Sequence, residues 1–191
     1  MAERVKIEKV ITLSKGWARN LLYTIDYRHR DGHRETLRRE VHDHGSGAAV
    51  LPYDKSRGTV LLVRQFRLPV FLSGRDGDTL EVCAGLLDGN DPAACAMREA
   101  EEELGYRLSS LRQAAHVFMT PGAVTEELTL FLADYDTQAK VSDGGGHAAE
   151  SEDIEVVEMP FAEALHLALD GRIIDAKTVM LLLFLERALK P

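Results

Sequence analysis

The stretch DPAACAMREAEEELGY, Asp91 to Tyr106, constrains the chain more than any other. Asp is a favourable helix N-cap because its carboxylate accepts orphan N–H groups of the first turn, and Pro92 suits the first helical position, where no N–H is needed. Gly105 supplies the left-handed residue that closes a helix. A helix over Pro92–Leu104 is therefore predicted with both ends marked. Within it Glu99, Glu102 and Glu103 recur at spacings of three and four, which sets their carboxylates on one stripe. Ala93, Ala96, Met97, Ala100 and Leu104 form another face, predicted to be buried, so that the acids turn away from the core contact. Like charges so spaced repel, and an Arg98 to Glu102 pair returns only about 0.2–0.5 kcal/mol. Either the stripe is a solvated charged face or a hard cation offsets the repulsion. Mg²⁺ takes oxygen ligands in octahedral geometry and shares its remaining positions with phosphates, which such a stripe would suit.

The rest of the chain is that of an ordinary globular protein. Its 191 residues suffice for one sizeable domain or a domain with a subdomain, and a net charge of -8 argues against nonspecific binding to nucleic acid or to an anionic membrane. No apolar run approaches the ~18 residues of a membrane span, and the start, MAERVKIEKV, lacks a long apolar run, so neither export nor insertion is indicated and a cytoplasmic location is expected. Cys83 and Cys95 sit in apolar segments and read as buried structural thiols.

No internal repeat is present. Leu21–Arg28 and Glu35–Val41 flank Arg30-Asp31-Gly32-His33, an Asp-Gly signal for a two-residue hairpin, so the N-terminal residues, to about 43, read as β structure. Further strands are expected at Ala48–Pro52 and Thr59–Gln65, joined by a turn at Asp54–Gly58, at Leu80–Ala84, around Ala114–Phe118, and at Leu128–Tyr135 and Ile154–Met159. Two more helices are expected at Phe161–Leu169 and Ala176–Leu189. Ser73–Asp78 and Val141–His147 read as mobile loops.

The segment from Gly85 to Tyr106 resembles the signature box of the Nudix hydrolases, with Gly85, Arg98-Glu99, Glu102-Glu103, Gly105 and Tyr106 in the box positions. Asp91 stands where the box has its first Glu, and six residues rather than seven separate it from Arg98; Ala100 is small where a bulkier residue is usual. The resemblance runs on through REVHDHGSGAAVLPYD, LLVRQFR, EVCAGLLDGNDP, MTPGAVTE, EDIEVVEMPF and DGRIIDAKTVMLLL, and is to the branch of that family that cuts nucleotide sugars. It implies an α/β/α sandwich with a mixed β-sheet over 44–191, preceded by an N-terminal β-hairpin subdomain over 1–43 that exchanges between the protomers of a homodimer.

The resemblance also implies the site. Glu99, Glu103 and Glu102, with the backbone carbonyl of Ala84, would hold Mg²⁺, or Mn²⁺ in its place. Arg98 would orient a Glu and tie the loop to the helix. Glu150 or Glu152 would deprotonate the attacking water, with Gly144-Gly145-Gly146 letting that loop close. Arg64 and Arg67 would face the diphosphate, and Arg38 and Arg39 the nucleotide from the other protomer. Trp17 would pack on the base or serve as a core anchor. The implied substrate is a nucleotide sugar, GDP-mannose first, with ADP-ribose or another ADP-sugar as the alternative. A non-catalytic nucleotide sensor on the same scaffold would be marked by loss of a metal carboxylate; Glu99, Glu102 and Glu103 are all present.

Overall fold

The computed structural model describes residues 4–147 and 152–190. Glu150 lies outside the described residues. Its contacts divide the chain into two compact units.

The first unit comprises residues up to Ser46 together with Phe118–Glu127. It holds an antiparallel sheet of β1 (Val5–Lys15), β2 (Arg19–Arg28) and β3 (Arg34–Asp43) in that order. The anticipated hairpin is β2–β3, and β1 adds a third strand whose apolar-polar alternation is broken by irregularities between Ile7 and Lys9 and between Thr12 and Ser14. The hairpin turn is one residue longer than the Asp-Gly signal suggested. The N–H of His29 bonds the His33 carbonyl at 2.8 Å, leaving Arg30, Asp31 and Gly32 between them, and Gly32 takes φ 97° as a left-handed third residue. Segment 118–127 returns to this sheet: the His42 N–H bonds the Ala123 carbonyl at 2.8 Å, and the Thr125 N–H bonds the His42 carbonyl at 3.0 Å.

The second unit is built on a mixed sheet around β4 (Gly47–Asp54), which is buried almost throughout, as a strand covered on both faces must be. β4 and β5 (Thr59–Phe66) meet through a turn in which the Asp54 carboxylate accepts from the Ser56 N–H at 2.8 Å and from Arg57 Nε at 2.6 Å. They pair only at Tyr53–Val60 and Asp54–Thr59 before diverging. The expected strand Leu80–Ala84 fills that fork as two pieces, β6 (Asp78–Glu81) on β5 and β7 (Cys83–Leu86) on β4. The break falls at Val82 because its N–H is taken at 2.7 Å by the Thr178 hydroxyl and not by a strand. β8 (Leu111–Phe118), β9 (Glu127–Asp134), which runs parallel to β4, and β10 (Glu155–Pro160), antiparallel to β5, complete the order β10-β5-β4-β9-β8.

Helices cover both faces. α2 (Pro92–Glu99) and the turn after it close a core of Ala48, Val50, Leu61, Val63, Cys95, Ala96, Ala100 and Leu104. The alternate strand residues Ala49, Leu51, Val60 and Leu62 are equally buried toward the other face, where α3 (Phe161–Leu169) and α4 (Ala176–Leu189) pack on β5 and β4. The result is the anticipated α/β/α sandwich. A short helix not anticipated, α1 (Leu68–Leu72), follows β5; five residues are too few to show a helical period.

The marked helix departs from expectation at its C-terminal end. Its last turn, Ala100–Leu104, is π-helical, and the Ala100 carbonyl accepts from both Gly105 and Tyr106. Glu103 is turned into the core at 3% exposure, and Met97, expected in the core, is 37% exposed. The buried face is made by Cys95, Ala96, Ala100 and Leu104, so the acidic stripe does not turn away from the core.

Candidate active site

β7, the loop after it and α2 form one strand-turn-helix unit. Asp91 caps the helix, its carboxylate accepting from the N–H groups of Ala93 at 3.0 Å and Ala94 at 3.1 Å. Gly85 lets the Glu99 carboxyl lie directly on the strand, since a Cβ there would overlap that carboxyl. Arg98 fixes Glu99 from the other side, with Nη2 2.6 Å from Glu99 Oε1 and 3.4 Å from the Leu86 carbonyl, so one guanidinium spans acid and loop. Its Nε stands 3.8 Å from Glu102.

Glu103 reaches back to the same strand and accepts from the Ala84 N–H at 3.3 Å. In a strand the N–H and C=O of one residue leave on the same side, so the Ala84 carbonyl faces the helix as well. Burial, with the charges of Glu99 and Glu152 behind it, pushes Glu103 up to about 7, against the pull of the Cys83 thiol and the Ala84 N–H. Glu99 is also raised, first by burial and then by Glu102 and Glu152, with Arg98 opposing. Among the described residues, Glu99, Glu102 and Glu103 do not bring three oxygens within 4.8 Å of one another, because Glu99 is turned to Arg98 and Glu103 to Ala84.

Glu152 joins this group through an unexpected arrangement of the glycine segment. The open carbonyls of the π turn are capped by it, with the Gly145 N–H on Glu103 O at 2.9 Å and the Gly146 N–H on Glu102 O at 3.1 Å. All three glycines have positive φ, and a Cβ on Gly144 would overlap the Glu103 carbonyl. Expected as a mobile hinge, the segment is instead hydrogen-bonded to the helix end. Glu152 Oε2 accepts from the His147 N–H at 2.7 Å, and its side chain occupies the space beside Gly146.

The basic residues divide. Arg67 is committed to Glu81 through two parallel bonds of 2.8 Å, and Lys177 Nζ donates at 2.5 Å to Glu81 Oε2, the oxygen that also accepts from Arg67 Nη2. This Arg67–Glu81–Lys177 set, with Glu81 and Lys177 buried and Arg67 half-exposed, was not read from the sequence; a lone acid between Leu80 and Val82 in an apolar strand was its only signal. Arg64 pairs across the sheet with Glu155 at 2.9 Å. Trp17, Arg38 and Arg39 belong to the first unit. Trp17 is 77% exposed and stacks on His44, which rules out a core anchor. Arg38 and Arg39 are both exposed on β3. Cys83 and Cys95 are free and buried, as expected, but Cys95 Sγ also lies 3.3 Å from the Leu86 carbonyl, beside Arg98.

Comparison with known proteins agrees with this geometry. The NUDIX domain model matches residues 43–182, and the model for the GDP-mannose pyrophosphatase NudK N-terminal domain matches residues 4–42. The chain belongs to the NUDIX family and is a hydrolase of that class, whose members generally work with a divalent metal ion. Within the family it is 46% identical to the GDP-mannose pyrophosphatase of Yersinia enterocolitica, over 95% of this chain and 96% of that protein. It is 43% identical to that of Pectobacterium atrosepticum, over 95% and 94%. No described helix is long and apolar enough to cross a membrane.

Proposed function

We propose that this chain hydrolyses the diphosphate bond of GDP-mannose to GMP and mannose 1-phosphate, with ADP-ribose or another ADP-sugar as the alternative substrate. The observation that carries the reading is the gathering of Glu99, Glu102, Glu103 and Glu152 around the strand-turn-helix unit, where Glu103 is too buried and too close to other acids to ionise in its ordinary range. Relatives that carry the name GDP-mannose pyrophosphatase supply the substrate.

Hard oxygens in surplus negative charge suit Mg²⁺, with Mn²⁺ second. Glu99, Glu102, Glu103 and the Ala84 carbonyl would hold it. When bound, such an ion neutralises phosphate charge and acidifies water. The chain's own groups do the rest. Arg98 holds Glu99 and the loop in register. A carboxylate oxygen of Glu152, or of Glu150, takes the proton of the attacking water. Arg64 and Arg67 place positive charge near the diphosphate, Arg67 acting mainly by its field because Glu81 holds two of its donors.

The first unit completes the site in this reading. Residues 1–43 form an exchanged subdomain and 44–191 the hydrolase domain, so that Trp17 stacks on the base and Arg38 and Arg39 of one protomer reach nucleotide in its partner. What supports a dimer is β1, where Val5, Ile7, Val10, Ile11 and Leu13 are each 39–58% exposed on a strand with no buried residue. The protein is read as a cytoplasmic enzyme.

A hydrolysis panel of GDP-mannose, GDP-glucose, ADP-ribose and ADP-glucose with Mg²⁺ tests the substrate. The highest kcat/KM is expected on GDP-mannose; preference for ADP-ribose would overturn it. Sedimentation of active protein as a monomer would remove the exchanged dimer.

A further inference from the structure

The turn of the first unit's hairpin carries a second set of ligating groups. His29 and His33 flank the turn as a hydrogen-bonded cross-strand pair, and Glu35 lies two residues beyond His33, on the same face of β3. The two imidazoles stack with centroids 4.0 Å apart and planes 7° apart. His29 Nε2 is 2.9 Å from Glu35 Oε2, and one ligand atom from each of the three residues falls within 4.8 Å of the other two. His33 Nδ1 is 2.8 Å from Asp31 Oδ1, and the same Asp31 oxygen accepts the His33 N–H, so Asp31 is locked by the turn that it helps to form.

Three features separate this cluster from a solvated acidic patch. Its donors are two imidazoles and one carboxylate, a set suited to borderline divalent ions and poorly suited to Mg²⁺. The hairpin fixes both imidazoles, so little ordering is required on binding. Asp31 stands where a carboxylate stands in carboxylate–histidine–metal relays, holding Nδ1 and leaving Nε2 of His33 as the free donor. Side-chain exposures of 33%, 56% and 53% for His29, His33 and Glu35 leave an entry path.

We propose that His29, His33 and Glu35 bind a borderline divalent ion, Zn²⁺ foremost, at the tip of the β2–β3 hairpin, with Asp31 positioning His33. The site is separate in donor chemistry from the helix carboxylates and clamps the two strand ends together.

The test is Zn²⁺ titration of the full chain at pH 7.5 with Mg²⁺ in large excess to occupy carboxylate-only sites. In the wild type, the ring resonances of His29 and His33 are expected to shift saturably, ahead of the remaining histidines. Calorimetry is expected to count one more Zn²⁺ per chain in the wild type than in His29→Ala/His33→Ala, and Asp31→Asn is expected to weaken that site by about 10–100-fold. Equal stoichiometry and affinity in wild type and double variant would overturn the proposal, as would ring shifts that appear only at millimolar Zn²⁺ or in all histidines together. The wild-type spectrum decides alone should the double variant lose its native circular dichroism.

Discussion

Glu103 buries its carboxylate against the backbone N–H of Ala84, 3.3 Å away, and burial with Glu99 and Glu152 nearby pushes it up to about 7. A carboxyl raised on folding takes up protons between its unfolded value, about 4.3, and its folded one, so it disfavours the metal-free fold increasingly as pH rises across that window and fully above it. Glu103→Gln is therefore expected to raise the Tm of metal-free protein at pH 8, by about 2–4 °C per kcal/mol recovered. The same variant should lose Mg²⁺-dependent turnover and most of the thermal stabilisation that Mg²⁺ gives the wild type. Unfolding curves in EDTA and in Mg²⁺ check both; a variant less stable than wild type in EDTA at pH 8 contradicts the account.

Gly85 offers a test that separates site from fold. A Cβ there would overlap the Glu99 carboxyl, the far end of a flexible side chain that can swing aside without moving backbone. Gly85→Ala is expected to cost no more than about 1 kcal/mol of stability, within the ordinary range for point substitutions, while turnover falls by about 100-fold because Glu99 is displaced. Tm and kcat at saturating Mg²⁺ measure the two effects. A normal kcat would remove Glu99 from the reaction.

Glu81 contributes to the acid sensitivity of the second unit, beside Asp54. Although burial opposes its ionisation, Arg67 and Lys177 hold it down to about 2, so it contributes stability above the unfolded carboxylate range that is lost as pH falls from about 4.3 toward 2. Glu81→Gln leaves Lys177 buried without its full counter-charge, a change that costs about 3–5 kcal/mol. Stability at pH 7 should drop accordingly, and the loss on acidification from pH 5 to 3 should shrink. Lys177→Met in the Glu81→Gln background should recover part of the drop, because the stranded charge is gone. Denaturant midpoints across pH test all three.

Local signals were legible where one residue carries one instruction. Asp91, Pro92 and Gly105 marked the helix ends correctly, whereas the close approach of Gly85 to Glu99 was seen only in the structure. The π turn was not legible, since Ala100–Leu104 has good helix formers throughout and its opened carbonyls are satisfied by Gly145 and Gly146, about forty positions away. The burial of Glu103 depends on that turn. The break at Val82 depends on Thr178, and the attachment of segment 118–127 to β3 depends on His42, both pairings between distant stretches that no local pattern encodes.

Glu150 and Glu152 are the two loop acids proposed to take the proton of the attacking water. Glu152 perturbs both Glu99 and Glu103, which places its charge among the helix acids, and its position follows from the glycine segment that caps the π turn. Glu152→Gln keeps the shape and the acceptor for the His147 N–H but removes the base, so kcat is expected to fall by about 10²–10⁴-fold. Glu150→Gln should leave kcat within a few-fold of wild type. Gly146→Ala adds a Cβ that overlaps the Glu152 carboxylate and demands a left-handed backbone from alanine, so it should lower kcat in the same direction with Glu152 itself intact. Steady-state rates on GDP-mannose for the three variants decide the assignment: a large loss in Glu150→Gln with none in Glu152→Gln would transfer the role to Glu150, and a loss in neither would move the base out of this loop.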